Sequence, residues 1–174
     1  MTFYDDGKIQ IRSMEKTDIE DLSAAFKNQN WDDRKEILAQ YFLEQESNKR
    51  IVLVAAYEGA AAGYLTLLPE TSTGPFAHQK IPEIKDFNVF IPYRNKGIGT
   101  KLMDCIESIA KQHFSSISLA VGLYPDYGTA QIMYVKRGYI PDGSGIWYNE
   151  KQLKQHEPCI NDDNLNLYFW KHFA

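Results

Sequence analysis

The chain has 174 residues, of which 44% are hydrophobic and 24% are charged, a composition typical of a folded domain and not of a disordered segment. Its net charge of -4 argues against a nucleic-acid partner, which would usually require a basic face. The two cysteines and four histidines lack metal-ligand spacing, and no apolar run approaches the ~20 residues that span a bilayer. We therefore expect a single domain over residues 1–174, with no metal and no membrane partner.

The N-terminal residues contain no basic segment followed by an apolar run, so we expect no signal peptide. Two cysteines without a disulfide framework fit a reducing compartment. Both observations predict a cytoplasmic protein.

The first part of the chain predicts a strand, two helices and a hairpin. Residues 8–12 alternate polar and apolar side chains, as a strand with one buried face does. Two amphipathic helices follow, separated by a polar loop around Trp31. The apolar residues 51–57 then predict a buried strand, which returns through a Glu-Gly turn as a second strand over 61–68.

A strand, a glycine-bearing turn and a helix follow between Glu83 and His113. The turn comprises residues 94–99 and contains two glycines and two cations. The unpaired amides and the positive dipole end of the helix point into this turn, so it predicts an anion site, most simply for a phosphate. Apolar residues recur on the helix at helical spacing: Ile98, Leu102, Cys105, Ile106 and Ile109.

The rest of the chain predicts a strand at 118–121 and a short helix over 129–137. A further strand begins at Tyr139, is interrupted at 141–145, and is followed by a last strand over 165–170. The order strand, two helices, three strands, helix, strand, helix and two strands predicts an α/β fold with a mixed sheet and helices on both faces.

The glycine turn matches neither a P-loop nor a dinucleotide-binding fingerprint, because the order of Thr100 and Lys101 is wrong for the first and Leu102 replaces the third glycine of the second. Arg94, Gly97 and Gly99 instead fill the defined positions of Arg/Gln-x-x-Gly-x-Gly/Ala. This pattern resembles the acetyl-CoA pyrophosphate loop of the GNAT superfamily of N-acetyltransferases. The alternative is an ordinary strand-to-helix turn.

A second stretch supports the resemblance. Ala130, Met133, Tyr134, Gly138 and Tyr139 are similar to the family pattern Asn-x-x-Ala-x-x-Leu-Tyr-x-x-x-Gly-Phe. Its asparagine position is occupied by a tyrosine. The element order also resembles the GNAT fold over the whole chain, which implies an α+β arrangement with a mostly antiparallel sheet of six to seven strands.

The resemblance implies acetyl-CoA as co-substrate and assigns its contacts. The diphosphate would lie on the turn, and the pantetheine arm would pair with the preceding strand just past a bulge. The residues implied in cofactor binding are Phe87, Asn88, Val89, Phe90, Arg94, Asn95, Lys96, Gly97, Ile98, Gly99, Thr100 and Tyr127.

Acetyl transfer to an amine requires a base, and the resemblance favours Glu83, because a glutamate base lies at this position in the histone-acetylating branch of the family. A strand glutamate paired with Lys85 and a water-relayed proton path are the alternatives. Asp86 is the second candidate, although an unbulged strand would place it on the opposite face.

For the proton donor to the departing thiolate, the resemblance favours Tyr134, since a phenol is protonated at neutral pH. The alternatives are a packing role for Tyr134, or Tyr124 and Tyr127 as donors.

The resemblance implies that the acceptor approaches from the loop between the first two helices and from the final hairpin. We assign Trp31, Asp32, Trp147 and Tyr148 to substrate binding, since aromatic rings with carboxylates suit a cationic amine. A small-molecule amine is the expected acceptor, and a peptide or protein amine is the alternative. A non-catalytic acyl-CoA-binding module and a homodimer are left open.

Overall fold

The computed structural model describes residues 1–173, in which the chain forms nine strands and four α-helices. The strands are β1 (Thr2–Asp5), β2 (Ile9–Ser13), β3 (Ile51–Tyr57), β4 (Ala60–Leu68), β5 (Glu83–Val89), β6 (Ser116–Gly122), β7 (Ile140–Tyr148), β8 (Lys151–Gln152) and β9 (Leu165–His172). The helices are α1 (Asp18–Asn28), α2 (Lys35–Glu46), α3 (Ile98–Lys111) and α4 (Gly128–Lys136). Single 3-10 turns at Ile91–Tyr93 and Pro125–Tyr127 precede α3 and α4.

The mixed, mostly antiparallel sheet class is confirmed, while the expected six to seven strands are corrected to nine within residues 1–173. The two strands that the sequence did not predict are β1 and β8, of four and two residues. Strands this short carry too few residues for a clear alternating pattern, so their formation depends on the neighbouring strands β2 and β7.

The residues group into two compact units, and the first comprises Met1–Leu68 and Lys85–Ile109. Its strands follow the hydrogen-bonded order β1-β2-β3-β4-β5. Phe26 of α1 and Phe90 after β5 meet edge to face with ring centroids 5.1 Å apart, which ties the helix to the end of the strand. The buried core cluster is Met14, Leu22, Phe26, Leu38, Val52, Val54, Tyr64 and Phe90.

Helix α3 ends at Lys111 and buries a face slightly shifted from the predicted one. Cys105 and Ile109 lie at the edge of this face and are only half-buried. The shift is a small rotation about the helix axis, which apolar spacing alone does not resolve. The residues that are buried are Ile98, Leu102, Met103, Ile106 and Ala110.

The second unit comprises Pro69–Ile84 and the chain from Ala110 onward. The first residues of β5 pair in parallel with β6. Strand β9 pairs antiparallel with β6 on one side and with β7 on the other, so it lies between two strands that precede it in the sequence. Strand β7 shifts register between Pro141 and Ile146, which is where the sequence predicted an interruption.

Candidate active site

A turn of residues 94–97 joins β5 to α3 and contains two left-handed residues. Gly97 has a φ of 81° and Asn95 a φ of 61°, and both residue types tolerate this conformation. Lys101 N donates to Gly97 O at 3.0 Å, which begins the helix. The amides of residues 98–100 therefore lie in the first helical turn, where backbone N–H groups have no acceptor within the helix. The turn has the geometry of an anion site.

Three cations border this turn. Arg94 donates from Nε to Val89 O at 3.1 Å, and its guanidinium lies 5.7 Å from the centre of the Trp31 ring. Lys96 and Lys101 each lie over a tyrosine ring, with Nζ 4.9 Å and 4.4 Å from the ring centre.

Gly99 allows α3 to approach β5 closely. A Cβ at this position would lie 3.3 Å from Phe87 Cζ and 3.6 Å from Val89 Cγ2, so a larger side chain would press on the strand. Phe87, Asn88 and Val89 are only half-buried. The strand residues beside the turn therefore retain surface for a ligand.

Phe90 and Ile98 are more restricted than the sequence suggested. Both side chains are 1% exposed. The Phe90 amide donates to Ala62 O at 3.0 Å, and its carbonyl accepts from Tyr93 N at 2.9 Å. The side chain and backbone groups of Phe90 are therefore occupied by contacts within the protein. Ile98 can contact a ligand only through its backbone amide.

Asp86 lies where β5 departs from a regular strand, close to the bulge that the family resemblance implies. Its φ is 51°, so β5 is irregular one residue before Phe87. The opposite-face placement of Asp86 holds for an unbulged strand and does not apply here, because alternation of side chains holds only for a regular strand.

The segment between α1 and α2 reaches the same turn. Gln29 Oε1 accepts a hydrogen bond from Ile91 N at 2.9 Å. The Trp31 ring lies 5.9 Å from the Phe26 ring and near Arg94, so it packs between the helix and the turn. Asp32 follows with an exposed side chain.

Asp33 lies at the end of this segment, and the contribution of its hydrogen bonds to the stability of the fold can be tested by varying pH. A hydrogen-bonded pair with Lys27, then bonds from the Ser23 hydroxyl and Lys35 N, lower the pKa of Asp33 from 3.8 to about 2. A carboxylate whose pKa is depressed by folding stabilises the fold above its unfolded pKa, and this contribution is lost as pH falls toward the folded pKa. We expect Asp33→Asn to lower the urea midpoint at neutral pH, with the difference narrowing below pH 3.8. A difference that is constant with pH would contradict this account.

In the second unit, Glu83 begins β5 and is 1% exposed. It lies opposite Ser118 of β6 in the parallel register. Ser118 fixes this strand start by donating to Pro82 O from its amide at 2.8 Å and from Oγ at 3.0 Å. Burial, and then the charge of Glu83, raises the pKa of the Tyr168 hydroxyl. Glu83 and Tyr168 are therefore electrostatic neighbours.

Tyr168 is a candidate site residue that sequence reasoning missed. Its ring lies 5.5 Å from the Trp147 ring, and Trp147 Nε1 donates to Ser144 Oγ at 2.7 Å. Alternation along β9 indicates which residues share a face with Tyr168. It does not indicate which strand lies beside Tyr168, and in the structure Tyr168 pairs with Ala120 of β6. Tyr148, at the end of β7, is half-buried.

Tyr134 lies on α4 and is 6% exposed. Burial raises the pKa of its hydroxyl, so Tyr134 is protonated at neutral pH. Its ring centre is 6.0 Å from that of Tyr139, in an edge-to-face contact.

Tyr127 occupies the motif position that the family fills with asparagine. Its ring covers Gly122 at the end of β6, where a Cβ would lie 2.4 Å from the ring carbons. The Tyr127 hydroxyl donates to Asp163 Oδ1 at 2.8 Å, and the Tyr124 hydroxyl donates to the same oxygen at 2.5 Å. Burial raises the pKa of Tyr127, and the Asp163 bond adds to this effect.

Within residues 1–173, no three or more His, Cys, Asp or Glu side chains are arranged to hold a metal ion. None of the helices described over these residues has the length and apolar character needed to cross a membrane.

The mixed sheet and the glycine turn at the start of α3 define an α/β protein with an anion-site geometry at a helix N-terminus. A sequence model of the acetyltransferase (GNAT) family matches residues 16–139, which is more than half of the chain. The chain belongs to this family and is an acyltransferase that uses acetyl-CoA.

Solved structures share the fold at low sequence identity. Ard1 from Thermoplasma volcanium is 19% identical with a TM-score of 0.69, over 96% of this chain and 99% of that one. An acetyl transferase from Salmonella typhimurium, described as modifying the N-terminal serine of ribosomal protein L7/L12, is 10% identical with a TM-score of 0.71 over 100% of both chains. Naa50 from Arabidopsis thaliana, solved with the bisubstrate analogue CoA-Ac-MVNAL, is 16% identical with a TM-score of 0.65 over 95% and 99%. Among curated protein sequences, none matched significantly.

Proposed function

We propose that the chain transfers the acetyl group of acetyl-CoA to a primary amine, by direct attack in a ternary complex. The glycine turn carries this proposal. Its left-handed Gly97 and the helix start at residues 98–100 present backbone amides to one point, and the cations Arg94 and Lys96 border it. A nucleotide diphosphate matches this combination of amides and positive charge.

The pantetheine arm is assigned to the backbone of Phe87, Asn88 and Val89. These residues are half-buried and follow the irregularity at Asp86, which interrupts the regular ladder of β5. Tyr127 is also proposed to contact the cofactor, because it occupies the asparagine position of the second family motif.

Glu83 is proposed as the base that takes a proton from the acceptor ammonium, directly or through water. The neutral amine nitrogen then bonds to the thioester carbonyl carbon, and the carbon–sulfur bond breaks with its electron pair leaving on sulfur. The nitrogen loses its second proton as the amide forms, and this proton passes through water to restore the hydroxyl of the residue that protonates the thiolate. The position of Glu83 at the start of β5, opposite Ser118, is the position that the family resemblance assigns to the base, and a base must lie within reach of the acceptor proton or of a relaying water.

Tyr134 is proposed to donate a proton to the departing thiolate. Burial raises the pKa of its hydroxyl, which on its own makes proton donation harder. A thiolate released into similarly apolar surroundings becomes more basic for the same reason, so the two pKa values shift in the same direction.

A small cationic amine is the proposed acceptor. In the first unit, Trp31 supplies ring surface and the exposed Asp32 supplies negative charge. Trp147 and Tyr148, in the second unit, are assigned to the acceptor on the sequence alone. Ring faces and a carboxylate together favour an ammonium group before it loses its proton.

A peptide N-terminus is the second candidate acceptor. The observation that favours it is structural similarity to proteins described as an L7/L12 N-terminal serine acetyltransferase and as Naa50 bound to CoA-Ac-MVNAL.

The decisive assay is thiol release from acetyl-CoA across a panel of polyamines, aminoglycosides, amino acids and short peptides with free N-termini. Release with a small amine supports the first acceptor, and release with peptides alone supports the second. CoA binding without release on any amine would favour a non-catalytic acyl-CoA-binding module.

Tyr134→Phe separates proton donation from packing, because it retains the buried ring and removes the hydroxyl. We expect turnover to fall by roughly 10²-fold with CoA affinity little changed, as for an interaction made in the transition state. Steady-state kinetics and CoA titration measure the two quantities. Equal turnover in the variant would reduce Tyr134 to a packing residue.

A cytoplasmic location is also proposed, since Cys105 and Cys159 are both free thiols.

Light scattering on the purified chain tests whether it forms the homodimer that the sequence left open.

A further inference from the structure

Asp86 is held in an unusual backbone conformation within β5. Its φ of 51° lies in the left-handed region, which costs free energy for a residue other than glycine, although aspartate tolerates it better than most. Such residues persist where their surroundings fix them, and they concentrate at functional sites. The surroundings of Asp86 therefore identify what maintains this geometry.

Three side chains bind the Asp86 carboxylate. Oδ1 accepts hydrogen bonds from Arg34 Nη1 and Asn88 Nδ2, each at 2.7 Å, and Oδ2 accepts from the Tyr64 hydroxyl at 2.8 Å. The Asp86 side chain is 11% exposed and that of Arg34 is 28% exposed. A charge-assisted pair that is shielded to this degree is stronger than a surface ion pair.

The partners come from different parts of the first unit. Arg34 immediately precedes α2, and Tyr64 lies in β4 with 0% of its surface exposed. The Arg34 guanidinium also lies 5.5 Å from the centre of the Phe26 ring in the core. Arg34 and Tyr64 are therefore fixed independently of β5, so two of the three partners anchor the carboxylate from outside its own strand, while Asn88 belongs to that strand.

The backbone after Asp86 is confined as well. A Cβ on Gly63 of β4 would lie 2.4 Å from Asn88 O and 3.1 Å from Val89 Cα. The β4 backbone thus packs directly against residues 88–89, which leaves little room for this stretch to relax.

We propose that Asp86 is a positioning residue which, through Arg34 and Tyr64, fixes the backbone of residues 87–89 in the conformation that receives the pantetheine arm. This inference rests on the proposed function, because that function assigns the arm to these residues. It implies that the anchor affects affinity for whole CoA and leaves affinity for its phosphoadenosine half unchanged, since that half lies on the glycine turn.

The test is calorimetric titration of Asp86→Ala, Asp86→Asn and Arg34→Gln with CoA and, separately, with adenosine 3′,5′-bisphosphate. We expect Asp86→Ala and Arg34→Gln to lose roughly tenfold or more in CoA affinity while binding the bisphosphate as wild type does. Asp86→Asn should lose less CoA affinity than Asp86→Ala, because asparagine accepts the left-handed conformation and keeps a carbonyl acceptor, although Arg34 loses its counter-charge.

Lys35→Gln is the matched control, because it removes the adjacent cation, whose partner is Glu20, and should change neither affinity. Circular dichroism checks that each variant is folded, and Arg34→Gln keeps the test open if Asp86→Ala does not fold. Equal losses for both ligands, or unchanged CoA affinity in the Ala and Gln variants, would overturn the inference alone. A wild-type protein that binds neither ligand would overturn the proposed function and this inference with it.

Discussion

Glu83→Gln is expected to reduce the rate of acetyl transfer by roughly 10²–10⁴-fold, the usual contribution of a positioned acid–base group. Glutamine keeps the shape of the side chain and much of its hydrogen bonding while removing its basicity. Glu83 is 1% exposed, so bulk water has little access to replace the lost carboxylate. The deficit should be greatest below the pKa of the acceptor amine, where most of the amine carries a proton, and should shrink as pH rises toward that pKa.

Initial rates measured as a function of pH and of amine concentration provide the test. Glu70→Gln is the matched control, because Glu70 is an exposed residue of the same unit and should leave the rate unchanged. A deficit independent of pH, or a rise in KM with kcat preserved, would move Glu83 from catalysis to substrate recognition.

Gly99→Val is expected to weaken CoA binding by roughly 10²-fold or more while the chain remains folded. A Cβ would already lie 3.3 Å from Phe87 Cζ and 3.6 Å from Val89 Cγ2, and the two methyl groups of valine extend beyond it. The added atoms would press on strand residues assigned to the pantetheine arm and fill space above the helix amides. Titration with CoA measures the loss, and a thermal unfolding midpoint checks the fold.

Two further variants calibrate this result. Gly99→Ala adds the Cβ alone and should cause a smaller loss, since a shift of a few tenths of an ångström accommodates it. Gly128→Ala should have no effect, because that residue has an ordinary helical φ of -56° and nothing lies within 4 Å of its Cβ position. Unchanged CoA affinity in Gly99→Val would show that this turn is not the pyrophosphate site.

The local sequence was sufficient to predict the glycine turn and most of the strands and helices around it. The spacing of Arg94, Gly97 and Gly99 between an apolar strand and an amphipathic helix is a short-range pattern, and the helix begins at Ile98 as this pattern predicts. Burial of Tyr134 was not predictable in this way, because Ile132 and Val135 on the same helix are also apolar and yet exposed.

Contacts between distant residues were not predictable in the same way. The Arg34–Asp86 pair joins residues 52 positions apart, and no local pattern indicates it. The proximity of Tyr168 to Glu83 depends on the strand order β5-β6-β9, which no local pattern specifies. Sequence periodicity reports which face a residue occupies, whereas register and strand order determine what it meets.

The position of β9 also constrains how the second unit is assembled during synthesis. Strand β9 is made after β6 and β7, yet it forms the ladder between them, with Ser116 to Gly122 paired to one edge and the ends of β7 to the other. Until residues 165–172 leave the ribosome, each of the two earlier strands has an edge without its final partner, and such edges invite pairing with other chains. A chain interrupted before Leu165 would therefore keep two unpaired strand edges, which favour association with other chains until β9 is made.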